Sequence, residues 1–223
     1  MNQVDVAALV SEIVNRFPSL KDEQIYLRDM DLITAQIEND LDFFAINDPA
    51  CRGSKVLVAN SYCSFFAVAC YRISHLLHTI GVEKNDLNYE ICARQISDYA
   101  KVVSGVEIHP AATIACPFVI DHGYGTVIGE TSVIGRNCYF LQGVILGARR
   151  IVGSNNSKRH PTIGNNVQLG ANVHIFGNVN IGDYSFIGPG CTILNSIPTH
   201  STVIKHSEYY IIRRAKELCT FNL

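Results

Sequence analysis

Aliphatic residues recur at intervals of six along the second half of the chain. Ile163, Leu169, Ile175, Ile181, Ile187 and Ile193 hold one phase, and Gly follows at 164, 170, 182 and 188. A helix repeats every 3.6 residues and a strand every 2, so neither puts one aliphatic in every sixth place. A hexapeptide period predicts a parallel β-helix, a solenoid that buries one residue per short strand along a continuous axis. Ile108, Ile114 and Ile120 keep the same step, as do Ile128, Ile134, Phe140 and Leu146. Two phase breaks separate these blocks. The step is eight between Ile120 and Ile128, around Asp121-His122-Gly123-Tyr124-Gly125, and seventeen between Leu146 and Ile163. Residues from about Ala148 to Pro161 must therefore leave the coil as a loop. Such inserts map to one face of a solenoid and commonly build its binding face.

Upstream the pattern is helical. Val6, Leu9, Val10, Ile13 and Phe17 follow helical spacing up to Pro18, and Ile33, Ile37, Leu41 and Phe44 mark a second amphipathic helix. Asp48-Pro49 reads as an N-cap followed by a first-turn proline. Phe65, Val68, Ala69, Arg72, Ile73, Leu76 and Ile80 form another stripe, expected to close at Gly81, and a last helix is expected from Leu87 to about Val103. The predicted class is α+β: a helical domain over 1–104, a β-helix over 105–198 and a C-terminal segment over 199–223. The mixed basic stretch Tyr209 to Leu218 is expected to cap the open end of the solenoid, where terminal strands expose unpaired edges.

A formal net charge of −2 gives no bulk attraction for nucleic acid or a membrane. The longest apolar run, Phe65 to Tyr71, is too short to span a bilayer, and the N-terminus lacks the pattern of a signal peptide, so a cytosolic protein is expected. The eight cysteines are scattered, with no Cys-x-x-Cys pair. They are expected to be reduced, structural thiols.

Fold does not fix function, so chemistry is sought where polar residues gather at the phase breaks. Asp121-His122 lies at the first break, Arg159-His160 ends the second, and Glu107 immediately precedes the first coil. If three strands make one turn, residues about eighteen apart stack. Glu107, fifteen residues before His122, is then expected one turn below it and within side-chain reach. A carboxylate beside an imidazole fixes its tautomer and stabilises the imidazolium, the arrangement of a general base. The alternative for His122 is a loop histidine satisfied by neighbouring backbone. His75, His78, His174, His200 and His206 read as surface or packing residues.

Several elements occur together in one order: Asp48-Pro49-Ala50, Tyr71-Arg72-Ile73, Ile108-His109-Pro110-Ala111-Ala112, Ile120-Asp121-His122, Val127-Ile128-Gly129-Glu130-Thr131, Leu146-Gly147 and Arg159-His160-Pro161. In these the chain resembles the bacterial serine O-acetyltransferases, whose helical N-terminal domain precedes a left-handed hexapeptide β-helix. The resemblance implies transfer of acetyl from acetyl-CoA, as co-substrate, to the L-serine hydroxyl, in the service of cysteine biosynthesis and without an acyl-enzyme. It implies His122 as general base and Glu107 as its orienting acid, at a position where the family has Asp. Asp48 and Asp121 are implied to hold the substrate ammonium, Arg159 its carboxylate, and His160 to lie beside the amino acid. These types suit a zwitterion, since Arg offers a planar fork to carboxylate; Asp48 has a helix cap as its alternative role. In the family acetyl-CoA lies in a groove between subunits, and Ala148, Gly170, Ala171 and Gly188 match its small-residue positions, although small residues also serve tight solenoid corners.

Three departures from the family pattern stand out. Glu107 replaces Asp, Ala148-Arg149-Arg150 replaces a glycine-rich segment ahead of a longer loop, and Val203-Ile204-Lys205-His206 replaces a Gly-x-Pro-Ala segment. The acceptor is therefore expected to be serine or another small hydroxy-amino acid, with a catalytically silent homologue as a further alternative. A zinc hydro-lyase of the γ-carbonic-anhydrase kind shares the solenoid, but His122, His160 and His174 do not match its ligand spacing, and no metal is expected. The resemblance also implies a homo-oligomer, a trimer or a dimer of trimers. Cysteine synthase, which the family binds through a C-terminal tail ending in Ile, is expected to bind weakly or not at all here, since this chain ends Thr220-Phe221-Asn222-Leu223.

Overall fold

The computed structural model describes residues 4–17, 23–150 and 158–206. Among these residues five α-helices come first: α1 Val6–Asn15, α2 Glu23–Asn47, α3 Lys55–Ser61, α4 Cys63–Lys84 and α5 Leu87–Ser104. Between α2 and α3, Pro49–Cys51 make a single 3-10 turn, capped by Asp48, whose carboxylate accepts the Ala50 N–H at 2.8 Å. The phase of the apolar residues explains the buried faces. Val6, Val10 and Ile13 of α1 and Ile33, Ile37, Leu41 and Phe44 of α2 are all buried.

Gly81 does not end α4. The helix runs on to Lys84, and Asn85, at φ +51°, provides the left-handed C-cap. A Cβ at Gly81 would lie 2.9 Å from the Glu90 side chain, so this glycine serves the close approach of α5. Helix α4 is long and apolar enough to cross a membrane by composition, yet 67% of its most apolar window is buried inside the protein. Gly105, at φ +72°, caps α5 where the helices give way to strands.

Among the described residues fourteen short strands then wind into three parallel sheets. The first sheet holds β1 (Glu107–Ile108), β4 (Val127–Ile128), β7 (Ile145–Gly147), β10 (His174–Phe176) and β13 (Thr192–Ile193). The second holds β2 (Thr113–Ile114), β5 (Val133–Ile134), β8 (Thr162–Ile163) and β11 (Asn180–Ile181). The third holds β3 (Phe118–Ile120), β6 (Cys138–Phe140), β9 (Gln168–Leu169), β12 (Phe186–Ile187) and β14 (Thr202–Val203). Registers stack the aliphatic positions: Ile108 on Ile128 on Leu146 on Ile175 on Ile193 in the first sheet, Ile114 on Ile134 on Ile163 on Ile181 in the second. Every sixth residue therefore points inward. A second, smaller inward position two residues earlier, at Thr126, Val144, Val173 and Val167 for example, is equally buried.

The phase breaks sit at corners of this triangular prism. Asp121 to Thr126 carry the chain from the third sheet to the first, and the insert before β8 leaves the corner between the first and second sheets. The ladder runs on past Pro198 to β14, and the stretch expected to cap it, Tyr209 to Leu218, lies outside the described residues.

The opposite end is closed by the helices. The first coil has no coil beneath it, so its backbone groups need other partners. Tyr71 donates its hydroxyl to the Ala112 carbonyl (2.6 Å) and accepts the Ile114 N–H (3.0 Å), and Ser97 donates to the Ile108 carbonyl (2.6 Å). Arg72 donates to the carbonyls of Ile114 (2.6 Å) and Ala115 (3.2 Å) and grips Asp40 through two bonds of 2.8 and 3.0 Å. Asp40 in turn accepts the Phe118 N–H at 2.8 Å. Burial works against the charged form of Asp40, and the equally buried guanidinium opposes that effect.

Candidate active site

The turn after β3 is built on left-handed residues: His122 at φ +59°, Gly123 at +81° and Gly125 at +80°. Such a turn projects the His122 side chain outward, and it is 71% exposed. Asp121 is only 15% exposed, with its Oδ2 3.9 Å from His122 Nε2. Its Oδ2 also accepts a hydrogen bond from the Tyr139 hydroxyl at 3.1 Å. Asp48 is 6% exposed, and its second oxygen accepts the Tyr62 hydroxyl at 2.9 Å. The Phe44 ring packs edge-on against both phenols, with centroids 5.3 Å from Tyr62 and 6.4 Å from Tyr139. Each phenol lies in the field of both carboxylates. The Asp48 bond is the main cause that pushes Tyr62 up to about 12, and burial, helped by Asp121, pushes Tyr139 up as well. Asp121 and His122 thus sit together at one corner of the prism, and Asp48 faces the same pair of phenols from the helical part. The phenols that support the carboxylates had not been singled out. Their only sequence signal is an aromatic residue in an outward strand position and another at a helix start.

Glu107 does not make the expected contact with His122. Its carboxylate bonds to Lys101 at 2.5 Å and to Arg94 at 3.4 Å, and Lys101 is the main cause that holds it below the usual carboxylate range. The physical reason is local: α5 brings two cations to the strand that follows it, and they capture the carboxylate. Among the described residues the carboxylate beside His122 is that of Asp121.

Arg159 and His160 occupy a different corner, between the first and second sheets. Arg159 pairs with Glu130 through its guanidinium, and its backbone N–H bonds to Thr131 Oγ1 at 3.0 Å. His160 is buried, lying over Gly129, where a Cβ would come within 2.2 Å of the imidazole. Its Nδ1 accepts the Thr131 N–H at 3.1 Å, which assigns the ring proton to Nε2. Burial, reinforced by Arg159, lowers its pKa to about 4, so the ring is a neutral donor at ordinary pH.

Ala148 lies where the insert leaves this second corner, while Gly170, Ala171 and Gly188 line the coil-to-coil turns between the third and first sheets. A Cβ at Gly170 would meet the Pro189 backbone at 2.7 Å, and one at Gly188 the Val203 carbonyl at 3.1 Å. Tight coil stacking therefore accounts for both glycines. His174 sits in β10 with its ring 6.1 Å from that of Phe176. None of the seven described cysteines is joined in a disulfide, and Cys63 is exposed.

A family model described as bacterial transferase hexapeptide (six repeats) matches residues 160–195. The serine acetyltransferase of Bacillus pumilus is 37% identical over 182 residues, which cover 82% of this chain and 79% of the relative. That of Synechococcus elongatus is 39% identical over 158 residues, 70% of this chain and 60% of the relative's length. The crystal structure of Neisseria gonorrhoeae serine acetyltransferase in complex with serine superposes with a TM-score of 0.75 at 31% identity, covering 92% of this chain and 83% of that one. With its helical N-terminal part and left-handed hexapeptide β-helix, the chain belongs to the serine acetyltransferase family of acyltransferases.

Proposed function

We propose that this protein transfers the acetyl group of acetyl-CoA to the side-chain hydroxyl of L-serine. The observation that carries this reading is that Asp48 and Asp121 are each held by a phenol packed on Phe44, with His122 beside Asp121, in a chain of this family. Two carboxylates held by phenols suit an ammonium group, and an exposed imidazole next to them suits the adjacent hydroxyl. His122 takes the hydroxyl proton as the oxygen attacks the thioester carbonyl. The tetrahedral intermediate then expels the CoA thiolate, which receives that proton from the imidazolium, so no acyl-enzyme is needed. Glu107, held by Lys101 and Arg94, acts on the base only at a distance.

Arg159 exchanges Glu130 for the substrate carboxylate, which its planar fork fits. His160, fixed by Thr131 as a neutral Nε2–H donor, supplies a hydrogen bond without adding charge. Because these two residues sit on another corner of the prism, we take them from a neighbouring copy, so that three chains around a three-fold axis complete three sites. Pairing of two such trimers makes a hexamer. Ala148 and Ala171, small residues at corners, allow close passage of the pantetheine arm of acetyl-CoA.

The test is thiol release from acetyl-CoA with serine, homoserine and threonine offered separately. Serine is expected to give the highest kcat/KM, and His122→Ala to lower kcat by about 10²–10⁴-fold, the range for loss of a general base. Full turnover by that variant would exclude the mechanism.

A further inference from the structure

We propose that Tyr62 and Tyr139 are positioning residues that assemble Asp48 and Asp121 into one preorganised receptor for the acceptor's ammonium group. The proposal rests on the reading above that the acceptor is an amino acid.

The geometry joins two parts of the molecule. Asp48, Tyr62 and Phe44 come from the helical part, and Asp121 and Tyr139 from the solenoid. One Asp48 oxygen is taken by the Ala50 N–H, which leaves Tyr62 to fix the other. Asp121 is bonded at Oδ2 by Tyr139, and its Oδ1 has no hydrogen-bond partner among the described residues. Both carboxylates act on both phenols, so they share one neighbourhood and repel each other, and each needs a donor to hold its direction. A phenol on each offsets that repulsion without neutralising the pair, so the full negative charge remains for a cation. Phe44 wedges both rings, so the hydroxyls stay aimed while no substrate is bound. The Asp48 bond at Tyr62, and burial helped by Asp121 at Tyr139, keep both phenols protonated, hence donors, throughout the pH range of an assay. Preorganisation of this kind lowers the cost of binding and acts on affinity more than on the chemical step.

Tyr62→Phe and Tyr139→Phe remove only the hydroxyls and keep the rings that pack on Phe44. A hydrogen bond to a charged group is strong enough that each variant is expected to raise the serine KM about tenfold. Acetyl-CoA KM, kcat and melting temperature should stay within about twofold, or within a few degrees, of the parent. In an Asp48→Asn background, Tyr62→Phe should add little, because its effect passes through that carboxylate. Folded variants whose serine KM is unchanged, or in which kcat falls while KM holds, would overturn the proposal. The parent enzyme separates the two layers. If it turns over another ammonium-bearing acceptor instead of serine, the choice of serine fails and the tyrosine test is read on that acceptor's KM. If it turns over only acceptors without an ammonium group, both fall.

Discussion

At His122 the backbone turns through φ +59° and at Gly123 through +81°, a pair of left-handed steps that only a residue without Cβ completes comfortably. A Cβ at position 123 would lie 2.7 Å from the Val106 side chain and 2.9 Å from Ser64 Cβ at the start of α4. Gly123→Ala is therefore expected to destabilise the protein by about 2 kcal/mol or more, the left-handed penalty plus the clash. It should also lower kcat by displacing His122; urea denaturation and steady-state kinetics on the same preparation check both. His160 makes a second residue-scale case. Its folded pKa, about 4, lies below the ordinary histidine value of 6.5. The unfolded chain then binds more protons than the folded one between these values, so stability is full above about pH 6.5 and is lost as pH falls toward 4. His75 and His109, both lowered mainly by burial, act in the same direction. His160→Gln should flatten this acid loss, read as a smaller difference in urea midpoint between pH 7 and pH 5.

Among the elements, α2, α4 and α5 do for the first coil what each later coil does for its neighbour. Tyr71, Arg72, Ser97 and Asp40 meet backbone groups that no strand can reach. Arg72→Met would strand a buried carboxylate and two carbonyls, and loss of one partner of a buried pair costs about 3–5 kcal/mol. Arg72→Lys keeps the charge but cannot bridge Asp40, Ile114 and Ala115 at once, so its denaturation midpoint should fall between those of Arg72→Met and the parent. Equal stability in all three proteins would show that solvent, not α4, satisfies this edge.

The whole molecule divides the proposed site between two corners of one prism. Asp48, Asp121 and His122 flank the turn between the third and first sheets, while Arg159 and His160 flank the corner between the first and second. A site shared between copies predicts complementation. His122→Ala and Arg159→Ala chains, each inactive alone, should recover activity when co-expressed, because some interfaces pair an intact His122 with an intact Arg159. Random assembly into a ring gives about one intact site in four, hence about a quarter of parent activity. No recovery would mean that both residues serve one chain's own site.

The hexapeptide period is written in consecutive residues, because every sixth side chain must enter a core no wider than one strand layer. The sequence by itself therefore determined the solenoid, its stacking registers, the two corner inserts, and the helical stripes of α1, α2 and α4. It also singled out Asp121 and His122, which the phase break and the motif order both mark, and Asp48, which the motif order alone marks. Gly81 was misread as a helix stop because a glycine needed for helix–helix approach looks the same as one needed for a cap. Glu107 was matched to His122 by spacing along the coil, and only the tertiary structure decided otherwise, by bringing Lys101 and Arg94 of α5 to that carboxylate. The Tyr62–Asp48 and Tyr139–Asp121 bonds, the Arg72 bridge to the first coil and the split of the site between corners belong to the same class. All of them join residues from separate elements, and such meetings depend on how helices and coils pack, which no local period encodes.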